Sequence, residues 1–395
     1  MSLSIRVVPL IKKIFRKPIF ILVVWLSLAT VAGLQHYALG HYNNYRIFKN
    51  VFWNSVEGKN LYALYPDEHN DSNHYGPFFS VVFAPFALMP DALGLCLWIM
   101  FNGVVLFYAI RQLPLKESTG IALLWLVTNE LYTSYSNQQI NPMVAASIIL
   151  AYTWMRKEKD FWAAAVIMAG TFIKLYSIAG LAFFFFSKHK TGLVAACLFW
   201  AIVCFTAPMV ISGPAFVVQS YRDWYTSIKT KDELNAKESR HQDISLSGVV
   251  RRVSGHRDIP MLYFLIPGLI LFLLPYLKTQ YYDDPTFQQL MLCSVLLFIC
   301  LFSSSTESST YIIAFTGVSL WFLLHEPPPA KIVLGLLIFA FVLTSLSPTD
   351  LVPRPVRAFI TSYSLKAVPC VLVWLYLMAE LLKYSPSSKW QKTIA

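Results

Sequence analysis

The chain has 395 residues, of which 56% are apolar and only 13% charged, a balance that excludes an ordinary soluble globular protein. A formal charge of +11 would suit a nucleic-acid binder, but the basic residues fall between apolar runs instead of forming one stripe. No nucleic-acid partner is expected, and the six cysteines, all inside apolar runs, offer neither a disulfide framework nor a metal-binding spacing.

Apolar runs suited to crossing about 30 Å of hydrocarbon recur along the chain and predict an all-α, polytopic membrane protein of about twelve transmembrane helices. The first, 18–39, follows the basic residues Arg6, Lys12, Lys13, Arg16 and Lys17. It is too long for the core of a signal peptide, so it reads as a retained span with a cytoplasmic N-terminus. Residues 40–91 then form an outer segment, in which the apolar stretch 77–89 is too short to span and reads as a helix at the interface.

Further spans are expected at 92–111, 118–135, 141–155, 161–173, 175–187 and 192–212. After a second outer segment, 213–258, come 259–278, 286–303, 309–324, 330–346 and 364–383. This threading places Arg111, Lys116, Arg156 to Lys159, Lys188 to Lys190, Lys331 and the tail from Lys383 to Lys392 on the cytoplasmic side. With no repeat or linker in evidence, residues 1–395 read as one integral membrane domain.

Charged and amide groups at membrane depth are costly and so call for a function. Lys174 stands between two short apolar runs with no acid within helical reach. It reads either as a lysine snorkelling to the interface or as an anion-binding group in a cavity. Glu130, near the outer end of its span, reads either as a functional acid or as a solvated one. Glu307 lies in the polar turn 303–310, and Asn137, Gln138, Gln139 and Asn141 form an amide cluster. In the first outer segment Asp67, Glu68, His69, Asp71, His74 and Tyr75 are interleaved with tyrosines, a mixture suited to proton abstraction from a sugar or other polyol. The spacing of His69, Asp71 and His74 matches no metal motif, and no nucleotide-binding glycine loop is present, so neither metal nor cofactor is expected.

The order of these features carries a resemblance. Asn44-Tyr45 is followed by Gly58-Lys59-Asn60-Leu61-Tyr62, then Tyr75-Gly76-Pro77 with Pro85 and Met89-Pro90. Asn137-Gln138-Gln139-Ile140-Asn141 comes next, then Gly170 with Ile173-Lys174, Trp224, and finally 242–248 with Arg251-Arg252. In this order the sequence resembles glycosyltransferase family 87, membrane enzymes of the GT-C superfamily similar to polyprenol-phosphate-mannose-dependent mannosyltransferases.

The resemblance implies a sugar donor linked to polyprenyl phosphate, a glycan or glycolipid acceptor, and an extracytoplasmic active face in the cell inner (plasma) membrane. It implies a general base at position 44, which here is Asn44, and an amide cannot take a proton from an attacking hydroxyl. The catalytic expectation therefore moves to Asp71, with Glu68 and Asp67 behind it. Lys174, Arg251, Arg252, Gln138, Asn141, Glu307 and Tyr75 are the expected substrate-binding residues. A transporter or lipid flippase, or a catalytically inactive relative, would also fit a twelve-span chain.

Overall fold

The computed structural model describes residues 14–237, 242–386 and 390. Arg6, Lys12, Lys13, Arg240 and Lys392 lie outside the described residues. Helices take up 75% of the structure and none of the described residues forms a strand, so the fold is all-α as expected. A helix occupies each of the twelve stretches read as spans.

In chain order the helices are α1 (Pro18–Ala38), α2 (Asn43–Glu57), α3 (Phe79–Ala87), α4 (Asp91–Gln112), α5 (Glu117–Ser136), α6 (Asn141–Arg156) and α7 (Asp160–Ile173). A 3-10 segment, Leu175–Phe186, precedes α8 (Lys190–Thr206), α9 (Pro214–Lys237) and α10 (Leu246–Ser254). The series closes with α11 (Leu262–Leu273), α12 (Pro285–Leu301), α13 (Tyr311–Leu323), α14 (Lys331–Phe339), α15 (Arg354–Ser362) and α16 (Val368–Leu382). Pro18 and Pro285 start their helices where a missing N–H costs nothing, and the Asp284 carboxylate caps α12 by accepting from the Thr286 and Phe287 amides at 2.8 and 3.2 Å.

Helices α6, α12 and α13 are apolar and buried on nearly every side, which marks the centre of the bundle. Helix α1 buries one stripe only, Ile21, Trp25, Ala29, Ala32 and Gly33, against α4 and α5, and Trp25 Nε1 donates to Thr128 Oγ1 at 2.9 Å. Its other face leaves Ile19, Val23, Val31 and Leu34 uncovered, and α8 and α11 do the same with Leu198, Ile202, Ile266 and Ile270. Apolar faces this extensive are stable against lipid and not against water. Pro18–Ala38, Asp91–Gln112, Lys190–Ser212 and Leu365–Leu382 are long and apolar enough to cross a bilayer, and six shorter apolar helices accompany them.

Three stretches differ from their sequence reading. The segment 213–258 contains two helices, α9 and α10. The second member of the tight pair after Lys174 is 3-10 in form, and at about 2 Å rise per residue it reaches farther than an α-helix of equal length. Glu130 is fully buried, which overturns the solvated reading. The Lys366 Nζ lies 3.0 and 3.1 Å from its two oxygens, and this pair replaces the water that the carboxylate was expected to meet.

Candidate active site

The site grows from the end of α7. At Lys174 the backbone becomes extended, and the 3-10 segment then folds back beside α7. Gly170 makes this possible, because a Cβ there would meet Ser177 Oγ at 2.2 Å. Ser177 in turn bonds to Ser147 on α6 at 2.8 Å. The sharp turn presents the Lys174 side chain inward, where Nζ donates to Asn141 Oδ1 at 2.9 Å and lies 4.8 Å from the centre of the Tyr176 ring and 5.9 Å from that of Tyr75. Among the described residues no carboxylate oxygen comes within 4.0 Å of it.

Tyr75 is brought there by its own loop. The Gly76 N–H donates to Ile173 O at 2.9 Å, and a Cβ at residue 76 would sit 2.1 Å from Phe172 O, so only glycine lets the loop reach the end of α7. Asn73 clamps Tyr75 by accepting from its N–H at 2.9 Å and donating to its carbonyl at 3.1 Å, and Tyr62 Oη donates to the same carbonyl at 3.0 Å. The Tyr75 hydroxyl then donates to Gln139 Oε1 at 2.6 Å.

Around these groups lies a cavity of about 150 Å³ whose lining includes Asn44, Asp71, Tyr75, Gln139, Lys174 and Glu307. Residues separated by more than 260 positions in sequence thus meet at one place. Asn141 sits just behind Lys174 as its hydrogen-bond partner. Glu307 accepts from Gln242 Nε2 at 2.8 Å. Asp71, with a side chain 56% exposed, pairs with Lys231 at 3.5 Å. Asn44 donates to Asn137 O at 2.9 Å, which fixes the amide cluster to α2.

Other expected residues lie elsewhere. Gln138 adopts a positive φ of 52° and its amide is spent on Ser136 O at 2.7 Å, so its neighbour Gln139 is the one that faces the cavity. Glu68 accepts from Asn50 and is not part of the lining. Arg251, its side chain only 5% exposed, pairs with Asp243 at 2.8 Å and donates to Ile259 O, while Arg252 donates to Gln242 O at 2.6 Å. Both arginines therefore hold the 242–243 segment in place and stand outside the cavity lining.

A groove and the buried setting of His74 were not legible in the sequence. An apolar groove of about 160 Å³, walled by Val82, Val105, Met143, Val166 and Ile173, also has Lys174 in its lining. His74, in the outer segment, is pushed down to about 4 by burial first and by the Lys231 charge second, so it is neutral near pH 7. Its Nδ1 lies 2.8 Å from Ser227 Oγ, and Trp224 Nε1 donates to its carbonyl at 2.9 Å.

A cation touched by a neutral amide and two ring faces attracts an anion, and a carboxylate is a group that can accept a proton. Against this chemistry stand the comparisons with known proteins. The family model of glycosyltransferase family 87 matches residues 73–304, more than half of the chain. The chain belongs to that family and is a membrane glycosyltransferase. The matched range takes in Tyr75, Gln138, Asn141, Lys174, Arg251 and Arg252, whereas Asn44, Glu68, Asp71 and Glu307 fall outside it. No curated protein matches the chain.

Proposed function

Given its membership of glycosyltransferase family 87, we propose that this chain moves a hexose, mannose by family default, from polyprenyl phosphate to a glycan or glycolipid acceptor. The reaction takes place on the extracytoplasmic face of the inner membrane, in a single domain of twelve spans with a GT-C-like arrangement. One observation carries the reading: Lys174 lines both a cavity that bears the carboxylates Asp71 and Glu307 with amides such as Gln139, and a groove that is almost wholly apolar. A donor that is half phosphate and half hydrocarbon needs such a junction, and a soluble nucleotide sugar does not.

In the proposed reaction the acceptor hydroxyl oxygen attacks the anomeric carbon of the donor sugar. The bond from that carbon to the phosphate oxygen breaks, and its electron pair leaves with the polyprenyl phosphate. Lys174 faces the charge that develops on the leaving oxygen, which is where a fixed cation contributes most to rate. Asp71 takes the proton of the attacking hydroxyl. A carboxylate oxygen is the kind of group that can act as general base, and that of Asp71 lies 3.5 Å from Lys231 Nζ at the cavity. Asn44 cannot play this part, because its amide nitrogen donates to Asn137 O and its oxygen is not basic.

The test is to incubate purified protein with a panel of polyprenyl-phosphate hexoses and follow release of polyprenyl phosphate. Release with at least one donor, slowed about 10²- to 10⁴-fold by Asp71→Asn with donor affinity retained, is expected. Absence of release with every hexose would overturn the donor assignment. Transfer at the parent rate by Asp71→Asn would move the base to Glu307.

A further inference from the structure

A second cavity, of about 670 Å³, opens beside the one that holds Lys174. One wall is α9, where Asp223, Thr226, Ser227, Thr230, Lys231 and Asn235 recur every three or four residues and so share one helical face. Facing them are Asn60, Tyr62, Ser72 and His74 from the first outer segment. The two walls are tied together, since Asn60 Nδ2 donates to Asp223 Oδ2 at 3.2 Å and Ser227 Oγ donates to Asn73 O at 3.3 Å. The volume lies within the range of about 300–1,000 Å³ usual for small-molecule sites.

The charges of the lining select the ligand. Its carboxylates are Asp71 and Asp223, and its lysine, Lys231, already faces Asp71. His74 adds no positive charge near pH 7. An anionic headgroup would therefore meet more negative than positive charge here, in contrast to the cavity at Lys174. What the walls offer instead is hydroxyls, amides and a carboxylate with acceptor capacity to spare. Asp223 accepts from Asn60 and from Gln219, at 3.2 and 2.8 Å, while a carboxylate has about four lone-pair positions. Neutral polyols, whose hydroxyls both donate and accept, suit such a lining.

The cavities also share a border. Asp71, Ser72, His74, Lys231 and Gln242 belong to both linings, so a ligand seated against α9 extends toward Asp71 and through it toward Lys174. We infer that the larger cavity binds the terminal sugars of a neutral glycan acceptor, held by Asp223 and Thr230, with the attacking hydroxyl at Asp71. This assignment rests on the glycosyl-transfer reading above and adds to it the chemical class and the seat of the acceptor.

Saturation-transfer NMR on the full-length protein in detergent tests it, with methyl hexosides, neutral di- and trisaccharides and inositol 1-phosphate as probes. Neutral saccharides are expected to receive magnetisation. Asp223→Asn and Thr230→Val, which alter one polar group each at nearly constant shape, should each weaken binding about tenfold. Lys174→Met should leave saccharide binding unchanged, which separates the two assignments: binding that persists while every lipid-phosphate donor fails would overturn the donor alone. The acceptor assignment falls if inositol 1-phosphate binds and the neutral saccharides do not, if no saccharide gives transfer, or if both α9 variants bind at parent strength.

Discussion

Two lysines sit among the packed helices, Lys366 buried and Lys174 partly so, and they are held in opposite ways. Lys366 is 3% exposed. Its ammonium group lies 3.0 and 3.1 Å from the oxygens of Glu130 and donates to the Ser308 carbonyl and hydroxyl at 3.0 Å each. Lys174 has an amide oxygen at 2.9 Å and two tyrosine rings, and no carboxylate stands beside it. The first charge is matched inside the fold and belongs to its architecture. The second is touched by neutral groups only, with Glu307 and Asp71 farther off in the same cavity, which leaves its charge available to a ligand. A buried cation is thus read by its partners more than by its depth.

The contrast breaks most sharply at Lys366. Lys366→Met strands the Glu130 carboxylate, and the expected cost is about 3–5 kcal/mol of stability, measured by thermal unfolding in detergent. Glu130→Gln added to it should restore much of the loss, since a neutral amide does not need the counter-charge. At Lys174 the pattern should reverse: Lys174→Met should fold normally and lower turnover by about 10²–10³, whereas Lys174→Arg, which keeps the charge, should retain more activity. If Lys174→Met instead melts like Lys366→Met and turns over at the parent rate, the two lysines are equivalent and the distinction fails.

Smaller effects sharpen the same comparison. Tyr176→Leu removes the nearer ring face and should weaken donor binding severalfold, in line with about 1 kcal/mol for a partly desolvated cation–π contact, read from donor KM. His74 supplies a third case, in which burial opposes the charge. Its folded value of about 4 lies below the ordinary 6.5. Between those limits the unfolded chain therefore takes up a proton that the folded chain refuses, and stability falls as pH drops from about 6.5 toward 4. A decrease on the order of 1 kcal/mol between pH 7 and pH 5 is expected, and His74→Gln should flatten that slope.

How much of this was legible depends on the distance over which each signal acts. The helices were visible because apolar runs are local. Lys174 was visible because a lone cation between two such runs is conspicuous without knowledge of its neighbours. Lys366 sits at the start of the last expected span, 364–383, where any lysine at a membrane boundary would look the same, and its partner Glu130 is 236 positions away. The two readings of Glu130 could not be separated for that reason. The polar face of α9 had its spacing written at 223, 226, 227, 230, 231 and 235, but the segment read as a loop because it is charged and lies between spans. Gln138 and Gln139 could not be told apart, since the choice hangs on one positive φ at Gln138 that turns its neighbour toward Tyr75. The arginines at 251 and 252 looked like anion ligands, and only the fold reveals that Asp243 and backbone carbonyls already occupy them.

The contact between Gly76 and the end of α7 also sets a clock. The loop that carries Tyr75 docks on a carbonyl at Ile173, which the ribosome adds 97 residues after Gly76. At about 5–20 residues per second that is roughly 5–20 seconds of synthesis. During that interval the helix that will receive the loop has yet to be made, so the cavity around Tyr75 and Lys174 cannot begin to form before the middle of the chain arrives. A block to elongation between those two points would leave a protein with its first helices in place and no site.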